Sequence, residues 1–214
     1  MKKFTKALVL LLTLALVCTG LILAVSADDA QSETVSYVAN GETANGTLAD
    51  AVAAADEGTT VKLLGNCTVS AEIAVTKSVT VDLNGYTLTT STANAFSVSG
   101  ATTVFKVTGT GNITAAGTLV TAKDDGATIN LVGAGVDGIA VTHTGESDVN
   151  FVVLKTNTFE LNNFEIVSKK GAQSNAFIEN SGNSTMTIKK TSVNLDYNNL
   201  NGWNSTLSYF TRVH

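Results

Sequence analysis

Asp124 and Asp125 form the only adjacent carboxylate pair in the body of the chain apart from Asp56-Glu57. Two carboxylates side by side can ligate calcium or divide acid and base roles. With Asp148 as a third ligand, Asp124 and Asp125 make a candidate calcium set, but the spacing matches no known calcium loop. The competing reading is a polar turn, because Lys123-Asp-Asp-Gly126 has turn chemistry throughout and is the reading preferred here. His143 is one of two histidines, the other being the terminal His214, and it is read as an outward residue on a strand edge. No Cys/His set has zinc spacing. The glycines of 109–117 and 133–138 follow short strands and open no helix, which argues against a phosphate loop. The reading therefore assigns no catalytic residue, no metal ligand and no cofactor.

Exposed aromatic rings are the other chemistry worth seeking, since they form platforms for sugars. Tyr86, Tyr197, Trp203 and Tyr209 are the candidates. Three of them follow residue 195, among Asn198, Asn199, Asn201 and Asn204. That end reads either as a carbohydrate surface or as the start of further repeats, with the latter preferred. Five Asn-x-Ser/Thr sequons, at Asn45, Asn66, Asn112, Asn183 and Asn204, are what so Asn- and Thr-rich a chain produces by chance.

The elements that must position these residues follow from composition and period. Hydrophobic residues make up 44% of the 214 and charged ones only 14%, enough for a sizeable core. There is no proline, so the turns must be made by Gly and Asn. Residues 1–27 read as a signal peptide: Lys2, Lys3 and Lys6, an apolar run to Val25, then Val25-Ser26-Ala27 before Asp28. An uncleaved anchor is the alternative, and Val17 before Cys18 speaks against a lipoprotein. The expected localisation is secreted, extracellular or cell-surface, with membrane contact only through an uncleaved signal segment. All 18 acids lie after position 27 while three of the 13 bases precede it, so the remainder carries about −8. That disfavours nucleic acid as a partner. Cys67 alone follows the leader, which leaves no intrachain disulfide, and its apolar–polar surroundings predict a small buried hydrophobe.

An apolar–polar–apolar triplet recurs as Val61-Lys-Leu63, Val81-Asp-Leu83, Phe105-Lys-Val107, Ile129-Asn-Leu131, Phe159-Glu-Leu161 and Met186-Thr-Ile188. The starts are 20, 24, 24, 30 and 27 residues apart, a period that marks stacked repeats. After each of the second to fifth comes a Gly or Asn corner: Asn84-Gly85, Gly109-Thr-Gly111, Gly133-Ala-Gly135, Asn162-Asn163. Second strands follow around Leu88 and Ile113, and third strands at 94–100, 117–123, 138–144 and 175–182. Three strands and three corners per unit predict an all-β, right-handed parallel β-helix over 59–214, expected to be incomplete at its C terminus. A β-sandwich is the second choice. Val81, Leu83, Phe105, Val107, Ile129 and Leu131 are predicted to point inward. Between 147 and 170 the register is open, and Val149 to Leu154 could itself be a first strand. Residues 28–46 form a leader segment. Residues 47–58 are Ala-rich, with Thr47 able to cap and Gly58 able to stop a helix, and predict an amphipathic capping helix over the open end of the solenoid.

Residues 47–89 resemble the opening of secreted bacterial β-helix proteins of the pectin-lyase-like superfamily. The likeness rests on the helix Leu48 to Ala55, the strand Gly58 to Leu63, and the strand and turn Val79 to Gly85. It implies the fold and a secretory habitat, but no single activity, since the superfamily holds lyases, hydrolases, esterases and non-enzymatic surface proteins. Its hydrolases use clustered aspartates and a His-Gly. Here His143-Thr144-Gly145 breaks that pattern, and the Asn-Thr-Asp and Arg-x-Lys elements are missing. Its lyases use an Arg or Lys base beside calcium-holding acids. Here the only arginine is Arg212, and the one lysine left in play is Lys155, with Asp148 and Glu160. The expected function is a structural or binding module for a polysaccharide or another surface protein. The alternative is part of a polysaccharide-active enzyme whose catalytic residues lie outside this chain.

Overall fold

The computed structural model describes residues 34–145, 149–168, 177–195 and 211–213, all within the compact unit Glu33–His214. After the hairpin β1 (Val35–Ala39) and β2 (Glu42–Gly46) and the helix α1 (Leu48–Ala54), the chain winds through successive turns of three strands each. The first turn is β3 (Thr60–Leu63), β4 (Cys67–Val69) and β5 (Ile73–Val75). The second is β6 (Val79–Asp82), β7 (Thr87–Thr90) and β8 (Asn94–Val98), and the third β9 (Val104–Gly109), β10 (Gly111–Ala115) and β11 (Thr118–Ala122). The fourth is β12 (Thr128–Gly133), β13 (Ile139–His143) and β14 (Val152–Leu154), and the fifth β15 (Thr158–Asn162), β16 (Phe164–Ser168) and β17 (Ile178–Asn180). Then come β18 (Thr185–Lys189), β19 (Ser192–Leu195) and β20 (Thr211–Val213). Corresponding strands of each turn pair in parallel, giving three sheets of eight, six and six strands. Each strand reaches its parallel copy by a crossover, the connection for which the right-handed sense is the rule. The fold is a right-handed parallel β-solenoid of about five turns.

Inward side chains form columns because parallel pairing stacks like on like. In the first sheet Val61, Val81, Val107, Leu131, Leu161 and Ile188 share one column. All six residues predicted to point inward are fully buried. One alignment differs from the sequence phrases. The sheet sets Val79, not Val81, level with Phe105, and Val81 level with Val107. A slip of two residues keeps each side chain on its face, so the inward assignment survives. The Asn84-Gly85 turn joins strands of different sheets, with both residues at positive φ, and makes a corner rather than a hairpin.

Three further points refine the sequence reading. The stretch 138–144, read as a third strand, holds β13, a second-sheet strand between β10 and β16. The third strand of that turn is β14, which settles the open register: Val152–Leu154 belongs to the third sheet and Phe159 to the first. Within the leader segment, residues 35–46 form the hairpin, and β1 pairs antiparallel with β3.

The helix covers the first turn with Leu48, Ala51 and Val52, all buried, and Thr47 caps it by accepting from the Asp50 amide at 3.2 Å. It ends at Ala54, because Ala55 already has extended ψ and Asp56 is engaged elsewhere. The Asp56 carboxylate accepts from the amides of Asn40 at 2.8 Å and Gly41 at 2.9 Å, fastening the β1–β2 turn. The Gly41 amide first, then that of Asn40, holds this carboxyl below its ordinary range. A depressed folded value means that the support is present above the ordinary carboxylate range and lost as pH falls through the folded value. Amide-exchange protection at Asn40 and Gly41 is therefore expected to fall in acid. Asp56→Asn should lower it already at neutral pH and flatten its pH dependence. Unchanged protection in that variant would contradict the role given to Asp56.

Candidate functional site

The residues singled out by type are dispersed. Asp124 and Asp125 both serve the corner between the third and first sheets. Asp124 Oδ2 accepts from the Gly100 amide at 2.9 Å, one turn back, and Asp125 Oδ1 from the Thr156 amide at 3.2 Å, one turn on. Asn157 Nδ2 adds bonds to the Asp124 and Ala127 carbonyls. The pair stitches successive corners, as the polar-turn reading expects, while Asp148 lies outside the described residues. Lys155 Nζ donates to the Lys123 carbonyl at 2.6 Å, and Glu160 faces outward on the first sheet, where Lys189 Nζ lies 3.8 Å away. Among the described residues no three His, Cys, Asp or Glu side chains lie close enough to hold a metal ion. Of the aromatic candidates, Tyr86 is partly exposed beside β7, and Tyr197, Trp203 and Tyr209 lie outside the described residues.

His143 corrects the sequence expectation. It is not on an exposed edge but fully buried, inward from β13, in one column with Thr90, Ala115 and Ser168. Its Nδ1 is 3.2 Å from Ser168 Oγ, and the rings of Phe151 and Phe177 lie edge-on at 5.6 and 5.9 Å. A serine beside a histidine has the elements of a hydrolytic pair. Here both side chains are fully buried in the core, out of reach of a substrate carbonyl. The pair is a core hydrogen bond. Cys67 is also inward, level with Leu88, and burial pushes its thiol up while the Thr34 hydroxyl donates to Sγ at 3.7 Å.

The surface with the most ordered chemistry is the outer face of the second sheet. Thr68, Thr89, Thr114 and Thr142 stand level with one another on β4, β7, β10 and β13. Beside that column runs a second, Thr87, Asn112 and Ala140. Hydroxyls thus repeat about every 4.8 Å along the solenoid and amides or hydroxyls stand roughly 7 Å to one side, the spacings of a β-sheet. Asn66, at the start of this face, accepts from the Thr87 amide at 2.9 Å, and Asn112 Nδ2 reaches the Thr87 hydroxyl at 3.5 Å. The strands CTV, TLTT, GNITA and IAVTH carry no Asp, Glu, Lys or Arg. Among the described strands of this sheet, charge enters the outer face only at Glu165 on β16. By contrast the first sheet presents Lys62, Asp82, Lys106, Glu160 and Lys189. Each threonine offers a donor, an acceptor and a methyl group, so the face can hydrogen-bond a neutral hydroxylated surface and touch its C–H groups at once.

Compared with protein-family models, curated proteins and solved structures, the chain has no match. The fold and this lattice therefore carry the functional reading.

The sequence signal for the lattice is the recurrence of a small polar residue two before a threonine: Asn66-Cys-Thr68, Thr87-Leu-Thr89, Asn112-Ile-Thr114. In the fourth turn, Ala140-Val-Thr142 keeps only the threonine. The sequence suggests Thr and Asn ladders on the outer faces of a stacked fold, but not which threonines share a column, and Asn66 and Asn112 count there only as chance sequons.

Proposed function

We propose that the chain is a secreted or cell-surface β-helix module that holds a neutral polysaccharide along its second sheet. The observation that carries this reading is the uncharged four-threonine column with its flanking amides. A polymer lying along the solenoid axis meets the same group at each turn, so bonds worth about 1 kcal/mol each add up without a deep pocket. An acidic chain repels polyuronates, and the stretch of this face on β4, β7, β10 and β13, which carries no Asp, Glu, Lys or Arg, leaves no charge to be desolvated when covered. Tyr86, at the edge of this face, supplies an aromatic contact for a sugar ring. The apolar leader of residues 1–27 supports export, and the likeness of residues 47–89 to pectin-lyase-like proteins supports a habitat rich in polysaccharide.

The test is electrophoresis of the chain through gels containing neutral glucans, mannans or galactans, beside polygalacturonate and alginate. A neutral polymer is expected to retard it. Thr89→Lys with Thr142→Lys, both outward and two turns apart on either side of Thr114, should weaken retardation at least tenfold, about 1.4 kcal/mol, without moving the melting temperature. Retardation by polyuronates alone, or equal retardation of the variant, would overturn the reading. A rise in ultraviolet absorbance from unsaturated ends in the polyuronate samples would point to a lyase instead.

A further inference from the structure

A line of apolar side chains runs beside the threonine face. Leu64 lies between β3 and β4, Tyr86 between β6 and β7, and Val136 between β12 and β13, so all three sit at the corner from the first sheet to the second. They are 45%, 36% and 95% exposed. These corners stack on one another. Asn84 Nδ2 donates to the Leu63 carbonyl at 2.9 Å, the Gly85 amide to the Thr110 carbonyl at 2.7 Å, and the Ala134 amide to the Gly109 carbonyl at 2.7 Å. The ridge therefore follows the solenoid axis for three turns, roughly 14 Å at the spacing of strands. Thr110 holds the third turn's place in it, and a Cβ on Gly135 would lie 3.6 Å from the Thr110 methyl carbon.

Across the sheet the register sets the order. The ridge comes first, then the column of Thr87 and Asn112, then the four threonines. The threonine column ends where Val167 stands level with Thr142. Asp137, next to Val136, is exposed and puts a negative charge on the ridge, which disfavours an anionic ligand. An apolar line parallel to a hydroxyl line selects a ligand with the same two sides at the same step. A β-1,4-linked chain of glucose or mannose has both. Equatorial bonds at each end of the ring keep it a straight ribbon, with axial C–H groups on its flat faces and hydroxyls along its edges. Each ring advances it by little more than one strand spacing, so it stays in step with the turns. An α-1,4-linked chain curls away from such a line within a few rings, and a β-1,3-linked chain coils.

We propose that the ligand is a neutral β-1,4-linked glucan or mannan lying parallel to the solenoid axis with one ring per turn, its hydroxyl edge on the threonine face and a flat face against Leu64, Tyr86 and Val136. This rests on the reading of the second sheet as a glycan surface and adds the linkage, the direction and the ridge. Apolar contact with the ring faces supplies what hydroxyls alone do not, because sugar hydroxyls are already well hydrogen-bonded in water.

The full chain is titrated in a calorimeter with cello- and manno-oligosaccharides of increasing length, and with α-1,4-, α-1,6- and β-1,3-linked glucans. Affinity for the β-1,4 series should rise with each ring until the oligomer spans Thr68 to Thr142, then level off. The other linkages should bind at least tenfold more weakly. Leu64→Asp with Val136→Asp puts two charges on the ridge and should lower affinity for the longest β-1,4 oligomer about tenfold at an unchanged melting temperature. Should the double variant melt earlier, Val136→Asp alone, at a position 95% exposed, carries the test. Val104→Asp is the control, since Val104 is 40% exposed but begins β9 on the first sheet, and it should leave affinity unaltered. Equal affinity for every neutral linkage, no dependence on length, undiminished binding by the ridge variants, or an equal loss in Val104→Asp would each overturn this inference. All four leave the glycan reading standing, because that reading needs only a neutral polymer and the threonines. No binding of any neutral glycan would overturn both.

Discussion

Val107→Asp is expected to destabilise the solenoid by about 4 kcal/mol or more, whereas its neighbour Lys106→Asp should stay within about 0.5 kcal/mol. Val107 is fully buried between Val81 and Leu131 in the inward column. A carboxylate there has no partner and must either lose its hydration or take up a proton. Lys106 lies one residue away on the outer face, level with Thr80 and Asn130, where an aspartate remains in water. Urea unfolding of the two variants beside the parent reads the difference directly. Equal losses would contradict the register on which every outward assignment rests, including that of the threonine lattice.

Gly111→Ala should cost about 3 kcal/mol, from a left-handed backbone and from overlap with the turn below. Gly111 has φ +137°, and a Cβ there would lie 2.3 Å from the Tyr86 carbonyl oxygen and 3.2 Å from the Tyr86 nitrogen. Those atoms are main chain in the preceding corner, so they cannot rotate aside. Gly85 is the control. Its φ is +86°, but a Cβ would meet nothing within 4 Å, so Gly85→Ala should cost only about 1 kcal/mol of conformational strain. The corner at Gly111 seats β10 on β7, which sets Thr114 level with Thr89. A variant that folds with this corner displaced should therefore also lose glycan retardation. Equal unfolding midpoints for the two variants would mean that the corners do not stack as closely as this.

Period and corner chemistry were legible in the sequence. Alternation with period two depends only on the residues of one strand, so Val81, Leu83, Phe105, Val107, Ile129 and Leu131 could be placed inward without knowing their neighbours. Gly and Asn announced the corners because few other residues take positive φ. The same alternation also contained the position of His143, two residues beyond inward Val141. A preference for placing histidine at an exposed edge hid it. What makes the inward site tolerable is Ser168, a turn later in sequence, and the rings of Phe151 and Phe177, none of which is local.

What the sequence by itself determined is therefore the phase of each strand and the existence of a repeat. Which sheet a strand joins was decided by the tertiary structure, because corners differ in length and a strand such as β13 carries no mark of its sheet. The threonine lattice belongs to the same class. Thr68, Thr89, Thr114 and Thr142 are 21, 25 and 28 residues apart, so no fixed period connects them. They become one surface only when backbone pairing absorbs the unequal corners and brings each outward hydroxyl level with the next.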